Sequence, residues 1–153
     1  MAGTNAVSAK QALITWLRGL TDTGEGLEGV QVAYSWPGLG RVGRECVHGG
    51  RAEWETELNS MRAAGLRQSR IETVTLDLHI VVSAVGGTVE DADVRAVAIG
   101  TVIEEALAAD PLLGGHPGLQ LAMVAGGDIE HEDHDDGAVS VLTYRVLFRS
   151  RLT

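Results

Sequence analysis

The sequence predicts an α+β fold: a mainly antiparallel sheet with two helices packed on it and a C-terminal β-hairpin. Three observations carry that prediction. Two stretches, around residues 13–20 and 89–106, place apolar residues at helical spacing. The runs 74–82 and 138–152 alternate apolar and polar residues. Strand patterns and helix patterns do not alternate regularly, which disfavours a doubly wound parallel sheet. At 153 residues the chain suits one domain spanning 1–153, large enough to bury a core without staples.

The first helix follows from Leu13, Trp16, Leu17 and Leu20, which form one apolar stripe. Ser8 with Gln11 offers a capping box and a start for it. Gly24, Gly26 and Gly29 end the helical region. Val30, Val32 and Tyr34 then alternate as a short strand, broken by Trp36-Pro37-Gly38. A second short strand is expected through about Arg44 to His48, closed by Gly49-Gly50. Residues 51–65 fit both periods, since Trp54, Leu58 and Met61 have helical spacing while Trp54, Thr56 and Leu58 have strand spacing. The whole stretch 36–65 is read as a flexible loop or arm.

Val74, Leu76, Leu78, Ile80 and Val82 lie on one face of the clearest strand, with Thr73, Thr75, Asp77 and His79 on the other. After Gly86-Gly87, Thr88 opens the longest helix as its N-cap, with Glu90, Asp91 and Asp93 favouring the positive end of the helix dipole. Val89, Ala92, Ala96, Ile99, Ile103 and Ala106 form its stripe, and Val94, Val97 and Val102 are read as widening it. Pro111 bounds the helix. Leu119, Leu121, Met123 and Ala125 alternate as a strand, Asp128 to Gly137 reads as a polar hairpin tip, and Leu142, Tyr144, Val146 and Phe148 face inward on the last strand.

Composition narrows the function. Hydrophobic residues make up 44% and aromatics only 4%, so aliphatic side chains must fill the core. Twelve basic and 21 acidic residues give a net charge of -9, which opposes gripping nucleic acid over a broad face. The single cysteine, Cys46, allows no internal disulfide and reads as a small buried hydrophobe. No apolar run reaches the ~18 residues a spanning helix needs, and the first ten residues lack a signal-peptide pattern. The expectation is assembly in a cytoplasm, with no membrane partner.

Few residue sets point to chemistry. Asp128, Glu130, His131, Glu132, Asp133, His134, Asp135 and Asp136 gather carboxylates and imidazoles that suit hard or borderline cations. The spacing matches no calcium loop, and a solvated loop is the simpler reading. Gly38-Leu39-Gly40-Arg41-Val42-Gly43 spells G-x-G-x-x-G, but a proline precedes it and a strand pattern follows, so the helix that would hold a pyrophosphate is missing. No G-x-S-x-G elbow is present, and Glu53, Glu55 and Glu57 alternate like a solvated edge. No enzyme and no cofactor is expected. Arg145, Arg149 and Arg151 share one face of the last strand, either as a polar outer face or as a contact for the acidic segment of a neighbouring copy.

Ala109-Asp110-Pro111-Leu112-Leu113-Gly114-Gly115 follows the long acidic-capped helix and precedes strand, acidic loop and strand. Upstream, Arg44-Glu45-Cys46-Val47-His48-Gly49-Gly50 leads through Trp54 to the strand beginning near Glu72. This succession, over about residues 6–152, resembles the tail terminator (tail-completion) proteins of long-tailed bacteriophages and prophages. The resemblance implies a homohexameric ring at the neck end of a virion tail. Such a ring sits on the tail tube protein, ends tube polymerisation, docks the head connector and lets DNA pass without specific binding. Asp128, Glu130, Glu132, Asp133, Asp135 and Asp136, with Arg145, Arg149 and Arg151, are then candidate oligomer or lumen contacts. Trp36, Arg41, Arg44, Arg51 and Trp54 are candidates for an arm contacting the tube. The alternatives are another head–tail connector or neck protein, or a small metal-binding module built on His131 and His134.

Overall fold

A computed structural model describes residues 3–58, 69–134 and 137–152 of the chain. Its framework is a pair of sixteen-residue strands, β3 (Arg70–Val85) and β5 (Gly137–Leu152), in unbroken antiparallel register from Arg70↔Leu152 to Val85↔Gly137. Even-numbered residues of both strands point the same way: Val74, Leu76, Leu78, Ile80, Leu142, Val146 and Phe148 are all buried. β2 (Glu45–Leu58) pairs with β3, and β4 (Leu119–His134) pairs with β5, both antiparallel. β1 (Gln31–Ala33) adds to β2 in parallel, giving the order β1-β2-β3-β5-β4.

Both helices cover the face carrying those even-numbered residues. α2 (Val89–Ala109) lies across β3, β5 and β4, and α1 (Ala6–Gly19) lies over β2 and β1. Leu13, Ile14 and Leu17 of α1 join Ala92, Ala96, Ile99 and Ile103 of α2 in one core cluster. Small residues at Ala92, Ala96 and Gly100 let the α2 backbone approach the sheet. Among the described residues no helix lies on the opposite sheet face.

The caps differ from each other in a telling way. Thr88 Oγ1 accepts from Asp91 N–H at 3.2 Å while Thr88 N–H donates to Asp91 Oδ2 at 3.1 Å, a full capping box visible in the sequence. α1 begins at Ala6 rather than Ser8, and Asn5 makes no side-chain cap. Thr4 Oγ1 accepts Ala6 N–H at 3.0 Å, and Glu72 of β3 takes Asn5 N–H at 2.8 Å from 67 residues away. Glu72 is fully buried, and its second oxygen has no hydrogen-bond partner.

The D-P-L-L-G-G segment is a tight turn with Leu113, Gly114 and Gly115 all at positive φ (51°, 76° and 96°), where glycine relieves the strain. Asp110 holds it: one oxygen accepts Gly114 N–H at 3.0 Å and the other accepts Trp16 Nε1–H at 3.1 Å. The turn therefore fastens the end of α2 to α1.

Three expectations are corrected. The short strand expected through about Arg44 to His48 does not close at Gly49-Gly50, and residues 51–58 are not loop: Glu45–Leu58 is one long strand with an irregularity between Gly49 and Ala52. Asp128 to His134 is not a hairpin tip but the second half of β4, paired with β5 as far as His134↔Gly137, and positions 135 and 136 lie outside the described residues. The part of the supposed arm at 59–65 also lies outside them. Val94 and Val97 do not widen the buried stripe: they are 65% and 49% exposed.

Leu78 and Asp77 are sequence neighbours on opposite faces, one fully buried and one half-buried. Leu78→Asp should cost at least ~3 kcal/mol by burying an unpaired charge, whereas Asp77→Asn should change stability by under ~0.5 kcal/mol. Urea unfolding of both variants checks this, and equal midpoints would overturn the face assignment.

Candidate functional site

The uncovered sheet face holds most of the charges singled out by sequence. Register places Glu53, Glu55 and Glu57 of β2 beside Thr75, Thr73 and Ile71, and these in turn beside Leu147, Arg149 and Arg151. Arg149 reaches Glu57 at 3.8 Å, with both side chains more than half exposed, so the pair adds little stability. Arg151 Nε–H donates to Ser69 Oγ at 2.9 Å. Arg145 lies opposite Asp77 and extends over Gly126 of β4. The three arginines share a face as the alternation requires, but Arg149 and Arg151 are engaged within the chain.

The same face carries an imidazole pair. His48 and His79 are directly opposite in register, with ring centroids 4.9 Å apart, and Trp36 packs edge-on against His48 at 5.4 Å. His79 Nδ1 and Thr143 Oγ1 are 2.8 Å apart. Burial pushes the His48 pKa below its usual value, with smaller contributions from positive His79 and Lys10, while the Gly49 carbonyl acts in the opposite sense. A hydrophobic lid and a depressed pKa describe a packed imidazole rather than a proton shuttle open to substrate. Cys46, buried beside it, has its thiol pushed up by burial, the opposite of what a nucleophile requires.

The acidic segment is drawn out along β4, the edge strand. Asp128, Glu130 and Glu132 pair with Thr143, Val141 and Val139, so they line the uncovered face. His131 faces the helices instead, with Nδ1 3.9 Å from Asp93, which also accepts the Ser140 hydroxyl. Asp133 and His134 pair with Ala138 and Gly137. Asp135 and Asp136 lie outside the described residues. Among the described residues no three His, Cys, Asp or Glu side chains converge on a metal-sized site.

Two features were not read from the sequence. The first is a groove of about 450 Å³ between α2 and β4, lined by Val97, Glu104, Ile129, Gly127, Asp128 and Tyr144. The bulge between Val124 and Gly126 opens it, and a Cβ on Gly127 would run into Thr143 and Tyr144, so only glycine keeps the floor flat. The signal available was Val94 and Val97 falling off the strict helical stripe. The second is not the loop 34–44 itself, expected from position 36 as part of a flexible arm, but its anchoring at the opposite side of the sheet. The loop is tied down: Gln31 Nε2–H donates to the Arg41 carbonyl at 3.1 Å and Gln31 Oε1 accepts Gly43 N–H at 2.6 Å. The G-x-G-x-x-G letters sit in this loop, and β2 follows them rather than a helix.

At its tip Leu39 is 90% exposed, with Arg41 and Arg44 exposed nearby and without an acidic partner among the described residues. Trp36, Arg41 and Arg44 are thus brought onto one loop, while Arg51 and Trp54 stand apart on the exposed half of β2. No protein-family model matches the chain, and no curated protein matches it either.

The Tyr144 phenol is pushed up to about 12, chiefly by burial and then by negative Glu104 beside it. The unfolded chain releases this proton first, near ~10, so stability should hold below that pH and fall as pH rises toward about 12. Thermal melts across that window should show a steeper loss for the native chain than for Tyr144→Phe. Parallel losses would show that the phenol is not held in a dry site.

Proposed function

We propose that this chain is a structural subunit that assembles as a ring, caps the end of a phage tail tube, ends its polymerisation and gives the head connector a docking face. The observation that carries the reading is the sidedness of the fold: one sheet, with both helices on one face and the charged side chains of β2, β4 and β5 on the other. A tube grows by repeated head-to-tail addition, which does not stop by itself. A subunit that halts it must fit the tube on one side and refuse it on the other, and a fold with unlike faces meets that requirement. The D-P-L-L-G-G turn, which joins α2 to α1, is the most specific local feature of the resemblance to tail terminators.

The rest of the molecule is consistent with a scaffold. The groove between α2 and β4 is open to solvent, the His48–His79 pair is packed, and the Cys46 thiol is buried. The net charge of -9 suits a wall past which DNA slides, because repulsion from phosphate replaces adhesion. Of the candidate arm residues, those given to the tube in this reading are Arg51 and Trp54 on the exposed half of β2. The acidic β4 edge and the arginine face of β5 then serve contacts between copies or the rim of the channel.

Particles assembled without this protein should carry overlong tubes and unjoined heads in electron micrographs. Tails of normal length joined to heads would end the proposal.

A further inference from the structure

We infer that neighbouring copies associate head to tail by seating the 34–44 loop of one copy in the α2–β4 groove of the next. This inference rests on the ring reading and names its seam. The two features are complementary in three respects. In shape, the loop presents Leu39, the most exposed large apolar side chain of the described residues, and the groove offers Val97 and Ile129, 49% and 38% exposed. In charge, Arg41 and Arg44, without an acidic partner among the described residues, follow Leu39 along the loop, while Glu104 lines the helix side of the groove. In position, the loop follows β1 and the groove borders β4, the two edges of the sheet, about 19 Å apart across four strand spacings.

That placement decides the symmetry. A contact between two different patches on opposite edges is heterologous, so it propagates around a ring instead of stopping at a dimer. The loop is also prepared for the contact, because Gln31 already clamps its returning half, and little order remains to be imposed on binding. The β4 edge itself is a poor template for an added strand. Its bulge interrupts the ladder, and Asp128 and Glu130 oppose a second strand of this acidic chain. The groove beside the edge receives a loop, not a strand.

The test uses the full chain with Leu39→Cys and Val97→Cys, singly and together, and a short bismaleimide. Cys46 is fully buried and stays silent. The double variant should give a ladder of cross-linked species, a mixture of the two single variants should stop at dimers, and each single variant alone should remain uncross-linked. A ladder absent from the double variant, or dimers within one single variant, overturns the seam. Sedimentation velocity supplies the second reading: Leu39→Glu should weaken association at least about tenfold without moving the melting temperature, since Leu39 buries almost nothing within the chain. Rings that survive Leu39→Glu unchanged overturn the seam but leave tube capping standing. Rings that form through this seam and fail to shorten growing tubes overturn tube capping and leave the seam standing.

Discussion

The register between β3 and β5 is the constraint from which the rest follows. Sixteen consecutive pairs hold without a bulge, so every inward residue of one strand faces an inward residue of the other. A slip of one residue would turn Arg145 and Arg149 into the core and Phe148 into water. That penalty fixes which face α2 can cover, and α2 in turn fixes the D-P-L-L-G-G turn and, through Asp110 and Trp16, the placement of α1. The flanking strands are less constrained. β2 and β4 each carry an irregularity, near Gly49 and near Val124, and both lie outside the central pair.

Legibility in the sequence tracks the same division. β3, β5 and α2 were readable because burial on one face only writes a clean period into the residues, and because the Thr88 box is local. β4 was readable as a strand only as far as Ala125, and its faces were not: Ala122 and Val124 point to the helices, whereas Leu121 and Met123 lie beside Arg149 and Leu147 on the other face. Beyond Ala125, the bulge shifts the phase by one residue and acidic side chains occupy positions that a buried strand would fill with Val or Ile, so no alternation remains to be read. β2 failed for a related reason: from Arg51 onward only Ala52 is even half-buried, and a strand exposed on both faces leaves no apolar pattern. The start of α1 was out of reach for a different reason. One acceptor there is Glu72, whose sequence separation of 67 hides the contact from any local rule. Of the candidate site, the charges were visible but their grouping was not. Leu39 looked like filler between two glycines, and Val97 like part of a core stripe, until the fold placed one at each end of the sheet.

Glu72 marks the point where polar and apolar demands meet. A carboxyl without water, holding a helix start with one oxygen and leaving the other unpaired, is an expensive way to cap a helix. A local Ser or Asp cap would serve α1 alone. Glu72 instead ties the N-terminal segment to the central strand next to the Ser150 pairing, so α1 cannot loosen without exposing the sheet. Rigid docking of α1 also steadies Lys10, which donates to the Gly50 carbonyl at 3.0 Å and sits 4.2 Å over the Tyr34 ring at the base of the 34–44 loop. The support of the exposed loop therefore runs back to the helix cap.

Charge sets the terms on which such a chain can associate with itself. Copies with a net charge of -9 repel one another at long range, and salt screens that repulsion beyond a Debye length of roughly 8–10 Å. Contacts between guanidinium and carboxylate at a seam act over about 3–4 Å in a partly dried environment and are screened much less. Moderate salt thus removes more of the repulsion than of the attraction. If arginines of one copy meet carboxylates of the next at such a seam, the chain gains selectivity from its own acidity: misaligned copies meet mainly repulsion, and the aligned arrangement exchanges it for attraction.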